Sequence, residues 1–220
     1  SDDFDKSGSS YTLKGNIPHY VSESNTQPGM PKYKDLNGDG IIDTNDRTMI
    51  GRGLPIHTGG FTNNFEYKGF DLSVFFQWSY GNDVLNANRL FFDSGFQKKR
   101  ELNQYASYTD RWTPENPNSN IPAATNSSSN LVISSRVVED ASFLRLKTVT
   151  LGYTVPKTFL KKYKIDNARL YVAAQNLWTI TGYSGYDPEV SIRSGGLTPG
   201  LDFSSYPRAL SVSFGINLGF

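Results

Sequence analysis

Apolar residues occupy every second position over 208–220: Leu210, Val212, Phe214, Ile216, Leu218 and Phe220 share one face, and Ala209, Ser211, Ser213, Gly215, Asn217 and Gly219 share the other. Successive side chains of a strand point to opposite faces, so this period predicts a strand with one apolar and one small, polar face. A second run over 70–80 sets Leu72, Val74, Phe76, Trp78 and Tyr80 against Asp71, Ser73, Phe75, Gln77 and Ser79, with Phe75 alone breaking the alternation. Three further strands are predicted over 56–67, 143–155 and 169–179, where β-branched and aromatic residues cluster between Gly, Pro, Asn and Asp. No segment predicts a helix beyond one turn over 158–164, enclosed by Pro156 and Asp166-Asn167.

The connections alternate between short and long. The first two strands are joined around Tyr67-Lys68-Gly69 and the third and fourth around Lys161-Lys162-Tyr163-Lys164, whereas 1–54, 81–141 and 180–206 are long and polar. Long loops at one end and short turns at the other are the asymmetry of an outer-membrane barrel. The predicted strands exceed the roughly 9–11 residues needed for a tilted crossing. A soluble antiparallel sandwich is the alternative, but its strands run to about 5–6 residues with most loops under about 12. The terminal strand, ending in Phe220, looks like the signal read by the machinery that inserts such barrels. Five strands cannot close a membrane barrel, for which about eight is the smallest number, so the expected fold is all-β and the chain a fragment of a large transmembrane β-barrel.

Composition agrees. Aromatic residues make up 14% and charged residues only 20%, against about 25% charged in ordinary soluble domains, as lipid-facing strands would require. Lys plus Arg (22) balance Asp plus Glu (21), so nothing in the net charge favours nucleic acid or an anionic membrane surface as partner. The lack of Cys excludes a disulfide scaffold, a thiolate zinc site and a cysteine nucleophile. No run approaches 18 apolar residues, which excludes a transmembrane helix but says nothing of a barrel, whose alternating strands look soluble on average. Ser1-Asp2-Asp3 carries no signal-peptide pattern and no initiator Met, so residue 1 is not expected to be the start of translation.

Residues 35–46 read as a cation-binding loop. Oxygen donors stand at positions 1, 3, 5, 9 and 12 as Asp35, Asn37, Asp39, Asp43 and Asp46, with Gly40 at the sharp turn of position 6 and the Ile41 carbonyl at position 7. Four carboxylates so close repel one another unless a cation lies between them. Asp46 is one methylene shorter than the usual Glu and no amphipathic helices flank the loop, so the expectation is structural calcium that pins a long loop, not a calcium switch.

Other constellations are weak. His19 and His57 lie in no ligand-spaced motif. Glu139-Asp140 or Asp187 with Glu189 supply carboxylate pairs of the kind a glycosidase uses, but any acidic chain contains such pairs. Gly51-Arg52-Gly53 lacks the third glycine and the strand-turn-helix context of a phosphate loop. Trp112, Trp178, Tyr183 and Tyr186 lie in or beside long loops, where they belong to an interfacial girdle or loop core, with stacking on sugar rings as the second reading.

Several segments together carry a family resemblance: Tyr33-Lys34-Asp35-Leu36-Asn37-Gly38-Asp39-Gly40, Arg111-Trp112-Thr113-Pro114-Glu115-Asn116-Pro117, Phe143-Leu144-Arg145-Leu146-Lys147 with Leu151-Gly152-Tyr153, Gln175-Asn176-Leu177-Trp178, Tyr186-Asp187-Pro188-Glu189 and Ser213-Phe214-Gly215-Ile216-Asn217-Leu218. In this order they resemble the C-terminal end of SusC/RagA-type TonB-dependent transporters, whereas 1–32 matches nothing recognisable. The resemblance implies a barrel of about 22 strands around an N-terminal plug. It also implies a SusD-like surface lipoprotein as lid, and import of oligosaccharides or peptides across the bacterial outer membrane, driven by TonB. The chain would then supply the last five strands over 55–220, with 1–54, 81–141 and 180–206 extracellular, and no residue in it would perform covalent chemistry. Two other classes stay open from the residues alone: a secreted, calcium-stabilised glycan-binding module, and a glycoside hydrolase.

Overall fold

Five long strands pair side by side in an antiparallel sheet: β1 (His57–Tyr67), β2 (Phe70–Tyr80), β3 (Phe143–Thr154), β4 (Asn167–Thr181) and β5 (Ser211–Gly219). Each neighbours the next in chain order, an up-and-down meander. The structure, a computed structural model, describes residues 3–8, 10–20, 22, 26–95, 103–125, 128–192, 195 and 198–220. It divides into two units, one of 51–84 with 139–220 and one of 1–50 with 85–138.

The first unit contains the sheet. β1 and β2 meet at Lys68 and Gly69, both with positive φ (49° and 88°), as the two-residue turn favoured by right-twisted strands requires. From there register pairs Tyr67 with Phe70, Phe65 with Leu72, Phe61 with Phe76 and Gly59 with Trp78. The same apolar face continues through Tyr153, Leu151 and Val149 of β3, Leu170, Val172 and Ala174 of β4, and Ile216, Phe214 and Val212 of β5. Most of its large side chains are exposed, Phe214 to 83%. β5 begins at Ser211 rather than near Arg208 because the preceding backbone is already engaged. The Arg208 amide donates to Asp187 and the Ala209 carbonyl accepts from Asn176. Leu210 therefore lies outside the pairing.

Two irregularities interrupt the ladder at the same level. Phe75 and Phe76 of β2 face Thr148 and Leu146 of β3, so Lys147 has no partner in the register, and Gln175 and Trp178 of β4 face the same two residues. The extra residues on β4 include Asn176 with φ of 53°, a left-handed conformation that Asn tolerates. One bulged residue reverses the parity of a strand. In β3 the odd-numbered Val149, Leu151 and Tyr153 lie on the apolar face before the bulge, and the even-numbered Leu144 and Leu146 beyond it. Arg145 is thereby turned to the polar face.

The second unit is built from small elements. Phe4–Ser7 and Ser10–Leu13 form a hairpin, and His19–Tyr20 pairs in parallel with Ile41–Ile42. Contrary to the helix-free expectation, Ala87–Phe92 is a short helix, capped by the Asn86 side chain on the Arg89 amide. Leu13, Ile42, Ala87, Leu90 and Val137 are buried beside polar Asn86, Asn88, Asp93, Ser94 and Asn130. Asp93 accepts from Ser107 at 2.9 Å, and Asn130 donates to the Ser94 carbonyl at 2.7 Å. A side chain on Gly29 would overlap the Trp112 ring, and the Gly29 carbonyl accepts from Ala123. Thr113 to Asn116 forms a turn, with the Asn116 amide donating to the Thr113 carbonyl at 2.9 Å. Among the described residues no helix is long and apolar enough to cross a membrane.

Candidate functional site

The acidic loop is folded by its own carboxylates. Asp35 accepts from the Gly38 and Gly40 amides at 2.6 and 2.9 Å, Asn37 from Asp39, and Asp39 from Ile41. Asp46 reaches back to accept from Leu36 and Asp43, and Asp43 in turn accepts from Asn45. Those amides, first that of Asp43 and then that of Leu36, hold the Asp46 carboxyl below its ordinary value. Among the described residues no three carboxylate or imidazole side chains converge on a point where a metal would sit. The side-chain oxygens of Asp35, Asn37, Asp39 and Asp43 each carry more lone pairs than one amide uses.

The polar face of the sheet is organised around ion pairs. Arg145 is almost wholly buried and splits its guanidinium between Asp187 at 2.6 Å and Glu189 at 3.1 Å, residues 42 and 44 positions away. Glu189 also takes Lys147 at 3.3 Å and Arg208 at 2.9 Å. Burial alone would raise the Asp187 pKa, but the Arg145 guanidinium and the amides of Glu189 and Arg208 outweigh it and hold the carboxyl below its usual range. Tyr183 is buried and donates to Asp202 at 2.7 Å, fixing the same connection at a second point. Lower on this face, Arg169 of β4 bonds Asp71 of β2 through both Nε, at 3.0 Å, and a terminal nitrogen. The pair crosses Gly152 of β3, where any side chain would collide with both groups. Gly215 is likewise the niche for the Tyr171 ring.

The remaining candidates have structural partners. Glu139 accepts from the amide and hydroxyl of Ser184, and Asp140 from the Ser142 amide. Asp187 and Glu189 are committed to cations. None of these pairs is poised for hydrolysis. His57 accepts from the Trp78 indole at 3.1 Å and stacks on Tyr80. His19 belongs to the parallel pair in the other unit. Arg52 and Asp83 exchange amide hydrogen bonds, so the Gly51-Arg52-Gly53 stretch is a strand-entry turn. Trp178 stands on the apolar face opposite Leu146, and Tyr186 is exposed. The segments that carry the family resemblance thus fall at physically special points: the acidic loop, the Thr113–Asn116 turn, both bulges, the ion cluster and two glycine niches. Arg145 is the residue that its own segment did not mark as functional, although the parity slip between Leu146 and Val149 was visible.

No family model matches the chain. It is 38% identical over 213 residues to TonB-dependent receptor P3 of Formosa agariphila, covering 94% of this chain and 21% of that protein. TonB-dependent receptor SusC of Bacteroides thetaiotaomicron is 28% identical over 201 residues, covering 91% and 18%. Among solved structures, the RagAB peptide importer in its closed-closed state superposes with a TM-score of 0.70 at 28% identity, covering 87% of this chain and 21% of that one. These proteins are receptors and importers, not enzymes, and the antiparallel sheet is that of the TonB-dependent transporter barrel. TonB-dependent receptors as a class are outer-membrane proteins. Over nearly its whole length the chain is similar to TonB-dependent receptors of the SusC/RagA type, and it spans about a fifth of the length of the relatives it matches.

Proposed function

We propose that the chain is the C-terminal part of an importer barrel that takes oligosaccharides or peptides across the bacterial outer membrane, beneath a SusD-like lipoprotein lid and driven by TonB. The observation that carries the proposal is the continuous exposed apolar face of the five strands, backed by a polar, ion-paired one. Such a face finds its solvent in lipid. Eleven residues of β2 rise about 34 Å and, tilted by about 40°, cover about 26 Å, the height of the apolar band of such barrels. Tyr67, Phe70 and Tyr153 mark one end of the band, and Trp78, Tyr80 and Trp178 the other, as interfacial girdles do. The polar face then lines the lumen, and 1–54, 81–141 and 180–206 lie outside, where cargo and lipoprotein arrive. The solved neighbours carry the name peptide importer, which supports peptides among the two cargo classes.

The intact receptor should fractionate with the outer membrane, resist extraction without detergent and bring down a surface lipoprotein when tagged. Its deletion should abolish TonB-dependent uptake of labelled oligosaccharides or peptides. Recovery of these 220 residues as a soluble, monodisperse monomer would sink the proposal.

The acidic loop is, in the same proposal, a structural calcium site held by Asp35, Asn37, Asp39, the Ile41 carbonyl, Asp43 and Asp46. Calcium would draw together carboxylates that now lean on amides, and so lock 35–46. Titration of the receptor with terbium, read by luminescence, should show saturable binding that calcium displaces and that Asp35→Asn with Asp39→Asn removes. Binding unchanged in that double variant would refute the site.

A further inference from the structure

The balanced total charge conceals a separation along the chain. The connections 1–54, 81–141 and 180–206 each carry more carboxylates than cations, eight to six, seven to six and three to one. The two short connections are the reverse: Lys68 stands in one and Lys157, Lys161, Lys162 and Lys164 in the other, against Asp166 alone. These two connections share one rim with the end of β5, because the Thr154 amide donates to the Gly69 carbonyl at 2.7 Å and the Asp166 amide to the Gly219 carbonyl at 2.8 Å. All five lysines are exposed, and among the described residues none of them is ion-paired. Lys157–Leu160 and Lys161–Tyr163 form one short helical stretch that buries Leu160 and leaves Phe159 and Tyr163 exposed to 70% and 67%. The Lys162 ammonium stands 5.9 Å from the Tyr163 ring centre, and that of Lys68 5.1 Å from the Tyr67 ring centre. On the adjoining edge of the apolar face, Phe70 and Tyr153 meet with ring centres 4.5 Å apart.

Ammonium groups set among aromatic rings at the edge of an apolar band suit the headgroup layer of a membrane, where rings settle between hydrocarbon and water and long cationic side chains reach the phosphates. We propose that this rim is a binding surface for the headgroups of anionic phospholipid. The proposal rests on the barrel reading, which sets the short connections at the periplasmic leaflet. Charge fixes the sign of the partner: five ammonium groups without a carboxylate raise a positive potential that an anionic surface lowers. The rings fix its kind. A soluble polyanion would answer the lysines and leave Phe159 and Tyr163 in water, whereas a lipid brings acyl chains that cover them beneath the phosphate that the lysines hold. The long connections, with carboxylates in excess, offer anionic lipid no comparable surface. An even net charge is therefore the sum of two ends of opposite sign, and only one of them attracts anionic lipid.

The test places the intact receptor in phosphatidylethanolamine vesicles doped with photoactivatable phosphatidylglycerol or phosphatidylcholine, and localises the adducts by mass spectrometry. One lysine beside an anionic surface strengthens binding about fivefold, so phosphatidylglycerol adducts over 153–165 should exceed phosphatidylcholine adducts by about five- to tenfold. Molar salt should shrink that excess. Lys157→Gln with Lys161→Gln and Lys162→Gln should bring the two lipids to parity there, while adducts elsewhere on the barrel and the urea midpoint stay unchanged. Removing the same charge from 1–54, by Lys6→Gln, Lys34→Gln and Arg47→Gln at exposed positions, should leave the excess as it was. Equal labelling by the two lipids in the unaltered receptor would overturn the surface. So would an excess that survives the triple lysine variant, or one that both triple variants lose alike, which would reduce it to overall charge. Lysine-dependent sedimentation with peptidoglycan, without any lipid preference, would overturn it in favour of a cell-wall contact. A receptor that enters neither kind of vesicle fails the barrel reading and this surface with it. One that enters and transports, yet labels with both lipids alike, fails the surface alone.

Discussion

The two faces of the five-stranded sheet are made by the same strands, yet they obey opposite rules. On the apolar face large side chains stand exposed, neighbouring rings meet, Phe61 stacked on Phe76 and Phe70 tilted against Tyr153, and no charged residue of the paired register intrudes. On the other face small residues leave niches, and the niches are filled by ions and a tyrosine ring supplied from the next strand or beyond. The first face makes few commitments to the rest of the chain. The second is where long-range contacts concentrate, the Asp71–Arg169 pair joining residues 98 positions apart. A protein that has lipid for a core-like solvent on one side is free to place its specific chemistry on the other.

The largest effect expected is from breaking the polar face at its centre. Arg145→Ala would leave Asp187 and Glu189 without their guanidinium and should cost about 3–5 kcal/mol, because an uncompensated buried charge remains. Limited proteolysis of the receptor should then cut between the cluster and β5 faster than in the native protein; equal resistance in the variant would show that the ion cluster does not hold this connection. The contrast between faces is sharpened by Phe76→Arg, which should cost about 2–4 kcal/mol in refolding from urea into lipid vesicles, while Ser73→Arg, on the polar face, costs far less. Equal costs would mean that the faces have been assigned the wrong solvents.

Acid should act on the cluster reversibly. The Asp187 carboxyl is held below its ordinary value, so its contribution is complete above the unfolded value of about 3.9 and fades as pH falls through the folded one. Protection of 182–210 should therefore be full at pH 6 and lost only in strong acid; loss between pH 5 and 7 would point to a different group. The smallest effect is expected at Asp71→Asn. Both partners of that pair are about a third exposed, so the change should cost no more than about 1 kcal/mol and shrink further in salt, as urea midpoints would show.

How much of this was legible in the sequence differs by scale. The strands were: a two-residue period over ten or more positions is a strong signal, and β2 begins and ends where the alternation places it, while β1, read from its aromatic and β-branched content, begins and ends within a residue of that reading. The short elements of 1–50 and 85–138 were not: a four-residue strand shows two turns of its period, and Ala87–Phe92 is too brief to display a helical repeat. Asp187 and Glu189 were visible as carboxylates and nominated for hydrolysis, because nothing local reveals an arginine more than forty positions upstream as their partner. Gly152 and Gly215 read as small residues on a polar face, but what fills their niches depends on the neighbouring strand. The spacing of the acidic loop was legible in full, while the direction of its oxygens is decided by amides that no spacing rule names.

The single unpaired residue Lys147 gives β3 something like a reading frame. Upstream of it the strand is read with one face to each solvent, and downstream with the faces exchanged. Were Lys147 drawn into an unbroken ladder, every side chain would keep its place along the chain and yet Arg145 would turn toward the membrane and Leu144 and Leu146 toward the lumen. Substitutions along β3 are local errors, whereas a one-residue insertion or deletion on either side of the bulge is a change of meaning for the whole end of the strand. Among relatives of this protein, gaps should accumulate freely in the long connections and be rejected along β3, except at the bulged residue itself, whose loss restores a regular ladder with the same faces.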